Sequence, residues 1–391
     1  MLFYMHMAIR NYWITEIEKA WTERSVIWLS GVRRAGKTYL SQSLGNIEYF
    51  DCELPRVRRL MEDPEEFLKS LGDQGKRIVL DEIHRLDNPA ELLKIAADHY
   101  PEIKILATGS STLGASSKFK DTLTGRKKEI WLTPALDEDL ADFKIKDLKH
   151  RLLRGGLPPF LLSKEFPEAD FQEWMDAYWA KDIQELFRLE RKYSFQKFME
   201  LLMTQSGGIF EATRFTAPCE VSRTTITNYL KILEATFVAH IIHPFSSHRP
   251  TEIVSAPKVY GFDTGFVCYY RGWNELREED LGVLWEHYVL NEIQAKLHTR
   301  QIHYWRDKRG HEIDFIIPIR GKTPTPIAIE CKWKATQLDH RNLEAFLYQY
   351  PEAKVFIVSQ GIDRTFSRKY GETVVTFTDL PSLIDYLNEN S

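Results

Sequence analysis

The sequence contains few cysteines and lacks the marks of secretion or membrane insertion. Its 391 residues include four cysteines, which are widely separated and show neither metal-ligand nor redox spacing. The amino terminus has no basic region followed by an apolar core, and no apolar run is long enough to span a bilayer. These absences predict a cytoplasmic protein with no signal peptide and no membrane partner, whose thiols are buried in a reducing compartment. The cysteines are Cys52, Cys219, Cys268 and Cys331.

A strong net charge is also absent. The formal net charge is −4, so no global basic field favours nucleic acid, and any such contact must come from a local patch. Apolar residues make up 43 % of the chain and charged residues 28 %, which is typical of a globular protein. The length predicts two or three domains with sizeable cores.

A glycine-rich segment joins a strand-like run to a helix-like run near the amino terminus. Residues 26–30 form an apolar run, and Gly-x-x-x-x-Gly-Lys-Thr then extends from Gly31 to Thr38. This is a phosphate-binding loop in its expected context, because the glycines let backbone N–H groups point at phosphate oxygens and the following helix adds a favourable dipole. Lys37 would reach the β- and γ-phosphates, and the Thr38 hydroxyl would bind Mg²⁺. The residues predicted to bind the nucleotide, ATP, are Gly31, Val32, Arg33, Arg34, Ala35, Gly36, Lys37, Thr38 and Tyr39, with Ser110 as a further candidate.

Strand and helix patterns alternate through the first third of the chain. An amphipathic helix is predicted over residues 8–23, and helical segments separate most of the strands. This alternation predicts a parallel sheet covered on both faces by helices. The predicted strands are 25–30, 47–51, 77–81, 103–108 and 129–132.

Acidic and hydroxyl side chains follow two of these strands. Asp81 and Glu82 end the third strand, at the sheet edge where ligands of open α/β sheets bind. Asp81 would hold Mg²⁺ through water, and Glu82 would polarise the attacking water. After the fourth strand, Thr108 or Ser110 could sense the γ-phosphate, although an ordinary Gly-Ser turn is the alternative.

Together these residues resemble an AAA-type ATPase of the additional-strand class. The arginine-bearing loop and the segment Leu123-Thr124-Gly125-Arg126 are similar to a group of bacterial and archaeal ATP-binding proteins whose role is largely undefined. In that group a carboxyl-terminal domain of unknown function follows the ATPase module, so the resemblance covers roughly residues 15–380. The resemblance implies an arginine that stabilises charge on the transferring phosphoryl group. Arg126 is the candidate, in cis or toward a neighbouring subunit, and a surface arginine is the alternative.

The alternation of strand and helix patterns stops at residue 137, and two different segments follow up to residue 250. Residues 137–193 are mainly helical, interrupted near Gly155 and Pro158, and we expect a lid or connector. Residues 194–250 have the order helix, turn, helix and strand of a winged helix. After a first helix over 195–203, a helix is predicted over 210–215, a turn over 218–222, a second helix from 223 with Ser222 as its N-cap, and a strand over 237–242. That helix could enter a DNA major groove, although winged helices also serve as packing or protein-contact units. Its candidate contact residues are Arg223, Thr224, Thr227, Asn228 and Lys231.

The last third returns to mixed α/β patterns and contains a predicted hairpin. Its strands are 312–317 and 327–332, and a helix that carries Glu286 precedes it. Alternation places Glu330 and Lys332 on one face of the second strand. Burying charged side chains within an apolar hairpin costs free energy unless they share a partner, such as a divalent metal ion.

Asp314, followed on the next strand by Glu330-x-Lys332, resembles the core of the PD-(D/E)xK nuclease superfamily. The resemblance implies that Asp314 and Glu330 bind Mg²⁺, Glu286 assists, and Lys332 orients or activates water. The sequence departs from the pattern at Ile313, where many members have proline. A solvated edge hairpin and a nuclease-like fold that binds without cleaving are the alternatives to active cleavage.

The sequence therefore predicts an α/β protein that begins with a P-loop ATPase. The predicted domains are an ATPase core at 1–136, a helical lid at 137–193, a winged-helix-like segment at 194–250 and a nuclease-like domain at 251–391. The leading hypothesis is an ATP hydrolase that couples turnover to a nucleic-acid-facing unit. The alternatives are an ATP-regulated, metal-dependent DNA nuclease and a regulatory or scaffolding ATPase with protein partners only. Double-stranded DNA and further copies of the chain are the candidate macromolecular partners.

Overall fold

The computed structural model describes most of the chain and divides it into two compact units. The first unit comprises Met1–Leu148, Gly156–Lys192 and Ala235–Val238, and the second comprises Lys149–Gly155, Tyr193–Glu234 and Ala239–Ser391. No helix in the described residues is both long and apolar enough to cross a membrane. The described residues are 9–72, 75–109, 117–165, 167–184, 187, 189, 191–246, 256–318, 325–337, 339–370 and 373–390.

A five-stranded parallel sheet forms the centre of the first unit. Its strand order is β2-β3-β4-β1-β5. The strands are β1 (Val26–Ser30), β2 (Glu48–Asp51), β3 (Arg77–Asp81), β4 (Lys104–Thr108) and β5 (Lys127–Trp131). All five predicted strands are confirmed, each within about two residues of its expected ends.

Helices cover the first sheet because each buries an apolar stripe against it. In α1, Trp13, Ile17 and Trp21 are buried, as their helical spacing predicts. Ile9, which the same spacing would bury, lies before the helix and is 42 % exposed. Trp28 of β1 and Leu93 of α5 belong to one apolar core. The helices that begin in this unit are α1 (Asn11–Glu23), α2 (Lys37–Gln42), α3 (Pro55–Leu60), α4 (Pro64–Ser70), α5 (Pro89–His99), α6 (Ser117–Leu123), α7 (Asp137–Asp142), α8 (Leu148–Arg154), α9 (Pro158–Leu161) and α10 (Glu168–Tyr178). A π-helix, Trp179–Gln184, continues α10.

A nine-stranded mixed sheet forms the second unit. Its order is β13-β14-β12-β11-β10-β9-β7-β8-β6. Its strands are β6 (Gly208–Ile209), β7 (Ala239–Pro244), β8 (Lys258–Gly261), β9 (His303–Arg306), β10 (Glu312–Pro318), β11 (Pro326–Lys332), β12 (Lys354–Ser359), β13 (Phe366–Tyr370) and β14 (Thr373–Thr378). Its remaining helices are α11 (Lys192–Thr204), α12 (Ala212–Cys219), α13 (Arg223–Ala235), α14 (Thr264–Arg271), α15 (Leu281–Lys296), α16 (His340–Gln349) and α17 (Leu380–Asn390).

The predicted hairpin is present as the antiparallel pair β10 and β11, with Phe315 opposite Ile329. The alternative of a solvated edge hairpin is wrong, because both strands lie inside the sheet and are buried along most of their length. Internal strands need apolar residues on both faces, so the buried charges of this hairpin require partners.

Two local predictions between residues 210 and 244 need correction. The helix expected over 210–215 is α12, which runs from Ala212 to Cys219 and includes Pro218. Because the proline has no N–H, one backbone hydrogen bond is lost there, and the helix ends one residue later. The strand expected over 237–242 begins at Ala239, because Phe237 has a left-handed φ of 64°. Strand β7 then pairs with β8 and β9 inside the large sheet, rather than forming a separate wing. The predicted domain boundaries remain predictions.

Candidate functional site

The loop between β1 and α2 has the backbone that its glycines predict. Gly31 has φ +146° and Gly36 has φ +98°. A Cβ atom on Gly31 would lie 2.5 Å from the carbonyl oxygen of Leu132, so only glycine fits there. Helix α2 begins at Lys37, so its first turn directly follows the loop.

Lys37 extends over this loop. Its Nζ donates to the carbonyl oxygens of Gly31 and Val32, at 2.7 and 3.1 Å. Burial lowers the pKa of Lys37, while the carboxylates of Glu82 and Asp182 oppose that change. The ammonium group is therefore held where the loop would enclose a phosphate.

Asp81 lies at the end of β3, next to the loop. Its carboxylate accepts hydrogen bonds from the hydroxyls of Tyr49 and Thr108, and burial together with this bond raises the pKa of Tyr49. The Thr108 oxygen also accepts from the backbone N–H of Glu82, at 3.3 Å. Thr108 thus links the two acidic residues, whereas Ser110 lies outside the described residues.

Glu82 follows with a left-handed φ of 52°, a conformation that is uncommon for a residue other than glycine. Its Oε2 lies 3.1 Å from Nδ1 of His84. Burial raises the pKa of Glu82, but the hydrogen bond from His84 and the charges of Lys37 and Arg33 outweigh burial and lower it overall. The carboxylate is therefore ionised at neutral pH, as a base for water must be.

Lys37, Glu82 and His84 line one cavity of about 430 Å³ at the carboxyl edge of the sheet, whereas Asp81 and Thr108 are buried outside its lining. The helical segment after residue 156 closes one side of the cavity with Pro159, Lys181 and Asp182. The remaining lining residues are Gly31, Arg33, Arg34, Gly36, Thr38, Tyr39, Gln42, Glu53, Arg85 and Gly109.

The two loop arginines bind the same helical segment. Nε of Arg33 donates to Asp182 over 2.6 Å, and Arg34 pairs with Glu173. The Trp174 indole N–H donates to the carbonyl oxygen of Arg33, at 3.1 Å. These contacts connect residues about 140 positions apart, and the sequence did not predict the pairings. The family resemblance implied only that an acid recurs at the position of Asp182.

Arg126 does not join this cavity within the chain. It precedes β5, whose first residue Lys127 pairs with Val26 at the start of β1. The phosphate-loop candidate follows the other end of β1, so Arg126 lies at the opposite edge of the sheet. Its Nε donates to Asp98 over 2.7 Å.

Part of the first unit matches a known protein family. Residues 23–138 match the family described as an AAA domain. That match supports a P-loop ATPase. Residues 145–277 and 281–380 match two further families, both described as domains of unknown function (DUF8612 and DUF4143).

Whole-chain relatives extend beyond the ATPase domain. The proteins Rv2008c of Mycobacterium tuberculosis and Mb2031c of Mycobacterium bovis, both named uncharacterized, are each 26 % identical to this chain over 360 residues. The match covers 89 % of this chain and 79 % of each relative.

Two solved structures also resemble the chain at low identity. The Walker-type ATPase PABY2304 of Pyrococcus abyssi is 14 % identical with a TM-score of 0.44, over 67 % of this chain and 95 % of that one. The clamp loader delta protein of Bacillus subtilis is 12 % identical with a TM-score of 0.25, over 71 % and 98 %.

The second unit brings together the other predicted site residues. Glu286 lies on α15, Asp314 on β10, and Glu330 with Lys332 on β11. Tyr260 donates to Glu286 over 3.1 Å, and Lys332 donates to Glu330 over 2.7 Å. Asp314 accepts from the backbone N–H of residue 331 at 2.8 Å.

Burial and mutual repulsion dominate this cluster. Burial, reinforced by the charge of Asp314, raises the pKa of Glu286 and of Glu330 to about 8 each. Oε2 of Glu330 is buried and has no hydrogen-bond partner among the described residues. Within that part of the chain, no three His, Cys, Asp or Glu side chains form a group that could hold a metal ion. The metal prediction for Glu286, Asp314 and Glu330 therefore remains a prediction.

Lys258 is a further member of the cluster that sequence reasoning missed. It is 4 % exposed on β8 and pairs with Glu312, while its Nζ lies 5.7 Å from the ring centre of Tyr304. Burial alone would lower the pKa of Lys258, but nearby acids, Glu286 first, raise it overall. A lysine within the apolar segment Pro257 to Phe262 was the available signal.

Proposed function

We propose that this protein binds and hydrolyses ATP in the cavity of its first unit. The observation that carries the proposal is the convergence of Lys37, Thr38 and an ionised Glu82 on one cavity behind a glycine loop. The match of residues 23–138 to an AAA domain supports it. The loop N–H groups would bind the phosphates, and Lys37 would neutralise charge on the β- and γ-phosphates.

The donor set suits Mg²⁺, which prefers hydroxyl and carboxylate oxygens. Thr38 lines the cavity, whereas Asp81 lies behind it, so Thr38 would hold the ion directly and Asp81 through water. When bound, the ion would neutralise charge on the phosphate oxygens.

Glu82 is the proposed base. The oxygen of water attacks the γ-phosphorus, the proton of that water passes to Glu82, and the bond from γ-phosphorus to the β–γ bridging oxygen breaks. ADP and inorganic phosphate leave. His84 keeps the carboxylate in place and ionised before attack.

The test uses two variants, one expected to lose ATP binding and the other expected to lose ATP hydrolysis. Lys37→Ala should abolish ATP binding in a calorimetric titration, because the phosphates lose their charge partner. Glu82→Gln should bind ATP normally and turn over at least about 100-fold more slowly. Lys69→Ala, a change at an exposed residue on α4, is the control. Unchanged affinity in the first variant, or normal turnover in the second, would reject these assignments.

We further propose that ATP turnover is coupled to nucleic acid through the second unit. Support comes from α13, which follows a helix and a turn and exposes Arg223, Asn228 and Lys231. Ser222 caps this helix by accepting from the N–H of Thr225 at 3.1 Å, as its sequence predicts. The winged-helix assignment rests on this helix pair.

A metal-dependent nuclease is the second candidate function, favoured by the buried acids Asp314, Glu330 and Glu286. Strand cleavage in Mg²⁺ or Mn²⁺ that disappears in Asp314→Asn and in Glu330→Gln, but persists in the exposed Asp339→Asn, would select it. Nucleic acid that raises ATP turnover without being cut would select coupling without cleavage. Indifference to DNA and RNA in both assays would leave a regulatory ATPase with protein partners.

A further inference from the structure

The side chain of Arg33 occupies the cavity in a defined orientation. Its Nε donates to Oδ2 of Asp182 over 2.6 Å, and its side chain is 26 % exposed. Its two terminal nitrogens make no hydrogen bond to any described residue. One edge of the guanidinium is thus fixed while the other offers unused donors.

Asp182 is itself held firmly. It lies on the π-helix, and its side chain is 10 % exposed. π-Helical turns are rare and frequently occur at functional sites. The Trp174 indole donates to the backbone of Arg33 from about two turns earlier in the same helical segment. The arginine is therefore oriented from both its side chain and its main chain.

This orientation suits a phosphate. A guanidinium bound through Nε retains the paired terminal nitrogens, which match two oxygens of one phosphate group. Arg33 and Lys37 line the same cavity, so both cations act on the same region. Burial is the main cause of the lowered pKa of Lys37, and the charge of Arg33 adds to it. Arg126, the sequence-based candidate for this role, lies at the opposite edge of the sheet.

We propose that Arg33 binds the γ-phosphate of ATP and stabilises its developing charge, and that Asp182 is the positioning residue that orients Arg33. This inference rests on the proposed ATP hydrolysis and adds a catalytic residue to it. As water attacks and the bond to the β–γ bridging oxygen breaks, charge spreads over the γ-phosphoryl oxygens, which the terminal nitrogens of Arg33 contact.

The test is a double-mutant cycle with four proteins: wild type, Arg33→Ala, Asp182→Asn and the double variant. Arg33→Ala should lower kcat roughly 100-fold and weaken ATP binding more than ADP binding. Asp182→Asn should lower kcat about 10-fold, because the arginine remains but loses its orientation. In the Arg33→Ala background, Asp182→Asn should change kcat by less than about two-fold, since its effect passes through Arg33.

Two matched variants separate this role from general damage. Asp176→Asn, on the same helical segment as Asp182, breaks an exposed pair with Lys192, and neither Asp176 nor Lys192 lines the cavity, so kcat should stay within about two-fold of wild type. Arg33→Lys keeps the charge without the fork and should recover only part of the kcat lost in Arg33→Ala. Thermal unfolding of each protein checks that it is folded.

Distinct outcomes overturn distinct claims. A wild-type protein that does not hydrolyse ATP would reject the proposed function itself. A hydrolysing wild type with normal kcat and an unchanged ATP-to-ADP affinity ratio in Arg33→Ala would reject only the role of Arg33. An equal loss from Asp182→Asn with and without Arg33 would reject the positioning role of Asp182. If Arg33→Ala fails to fold, Arg33→Lys with wild-type kcat would reject the specific need for a guanidinium.

Discussion

Arg10 supports the phosphate-loop backbone through a fully buried ion pair. Its guanidinium donates to the carbonyl oxygens of Ala35 and Thr133, at 3.0 and 3.1 Å, and to Asp139 at 2.5 Å. Arg10 is 3 % exposed and Asp139 is fully buried. Because Ala35 belongs to the loop, this pair ties the loop shape to α7.

Breaking that pair should destabilise the first unit and weaken nucleotide binding together. Arg10→Met leaves Asp139 as a buried charge without its main partner, which typically costs about 3–5 kcal/mol. We expect this loss in urea unfolding, and a higher Kd for ATP where the variant remains folded. Arg24→Ala, at an exposed residue after α1, should show neither effect. Wild-type stability in Arg10→Met would show that the pair contributes no net stabilisation.

A buried histidine gives the second unit a predictable response to acid. Burial, with the charges of Arg300 and His287, lowers the pKa of His240 to about 3. The unfolded chain has a histidine pKa near 6.5, so between pH 6.5 and 3 the unfolded state binds a proton that the folded state does not. Above pH 6.5, His240 therefore does not lower the free energy of unfolding. Below pH 6.5, this histidine lowers the free energy of unfolding by about 1.4 kcal/mol for each pH unit.

Replacement of this histidine should flatten that response. His240→Gln should reduce the dependence of the free energy of unfolding on pH between 6 and 4, measured by denaturant titration at several pH values. The exposed His340→Gln is the control and should keep the wild-type slope. A slope unchanged in His240→Gln would place the acid sensitivity in other groups.

The turn after α8 depends on close backbone approach. Gly155 has φ +82°, and a Cβ atom there would lie 1.9 Å from Oδ1 of Asp263. That same oxygen caps α14 by accepting from the N–H of Gly265 at 2.9 Å. The turn at Gly155 therefore packs against the start of α14 so closely that a methyl group at residue 155 would not fit.

Two glycine variants separate the strain of a left-handed backbone from the steric clash of a new Cβ atom with Asp263. Gly272, which follows α14, also has a positive φ of 67° but no neighbour that a Cβ would meet. Gly272→Ala should cost about 1–2 kcal/mol from the left-handed backbone alone. Gly155→Ala should cost a further 1–3 kcal/mol, roughly, because Asp263 must also move. Equal melting temperatures for the two variants would contradict the predicted clash between a Cβ atom at residue 155 and Asp263.

The elements were largely predictable because their signals are local. Strand β1 and the loop from Gly31 to Thr38 follow from an apolar run and fixed glycine spacing, and both were found where expected. The Arg33–Asp182 and Arg10–Asp139 pairs join residues 149 and 129 positions apart, and such pairings depend on tertiary packing. The start of β7 was mispredicted for the same reason. Phe237 has a left-handed backbone just before this strand, and a conformation that is unfavourable for phenylalanine must come from tertiary packing and not from local sequence.

At the scale of the whole molecule, the P-loop and the candidate nucleic-acid helix belong to different compact units. Coupling would mean that nucleic acid bound by the second unit changes the rate of ATP turnover in the first. The net charge of −4 gives no general attraction for DNA, so the effect should depend on a few exposed cations of α13.

The double variant Arg223→Ala with Lys231→Ala tests that dependence. Both side chains are exposed on α13, and we expect double-stranded DNA to stimulate ATP turnover in the wild type but not in this variant. If each residue contacts one phosphate, the slope of log affinity against log salt should fall by about 2 in magnitude. Arg214→Ala, on α12 and paired with Glu211, is the control because its charge is already neutralised. DNA stimulation that survives the double variant would move the nucleic-acid contact away from α13, and with it the argument for a winged helix.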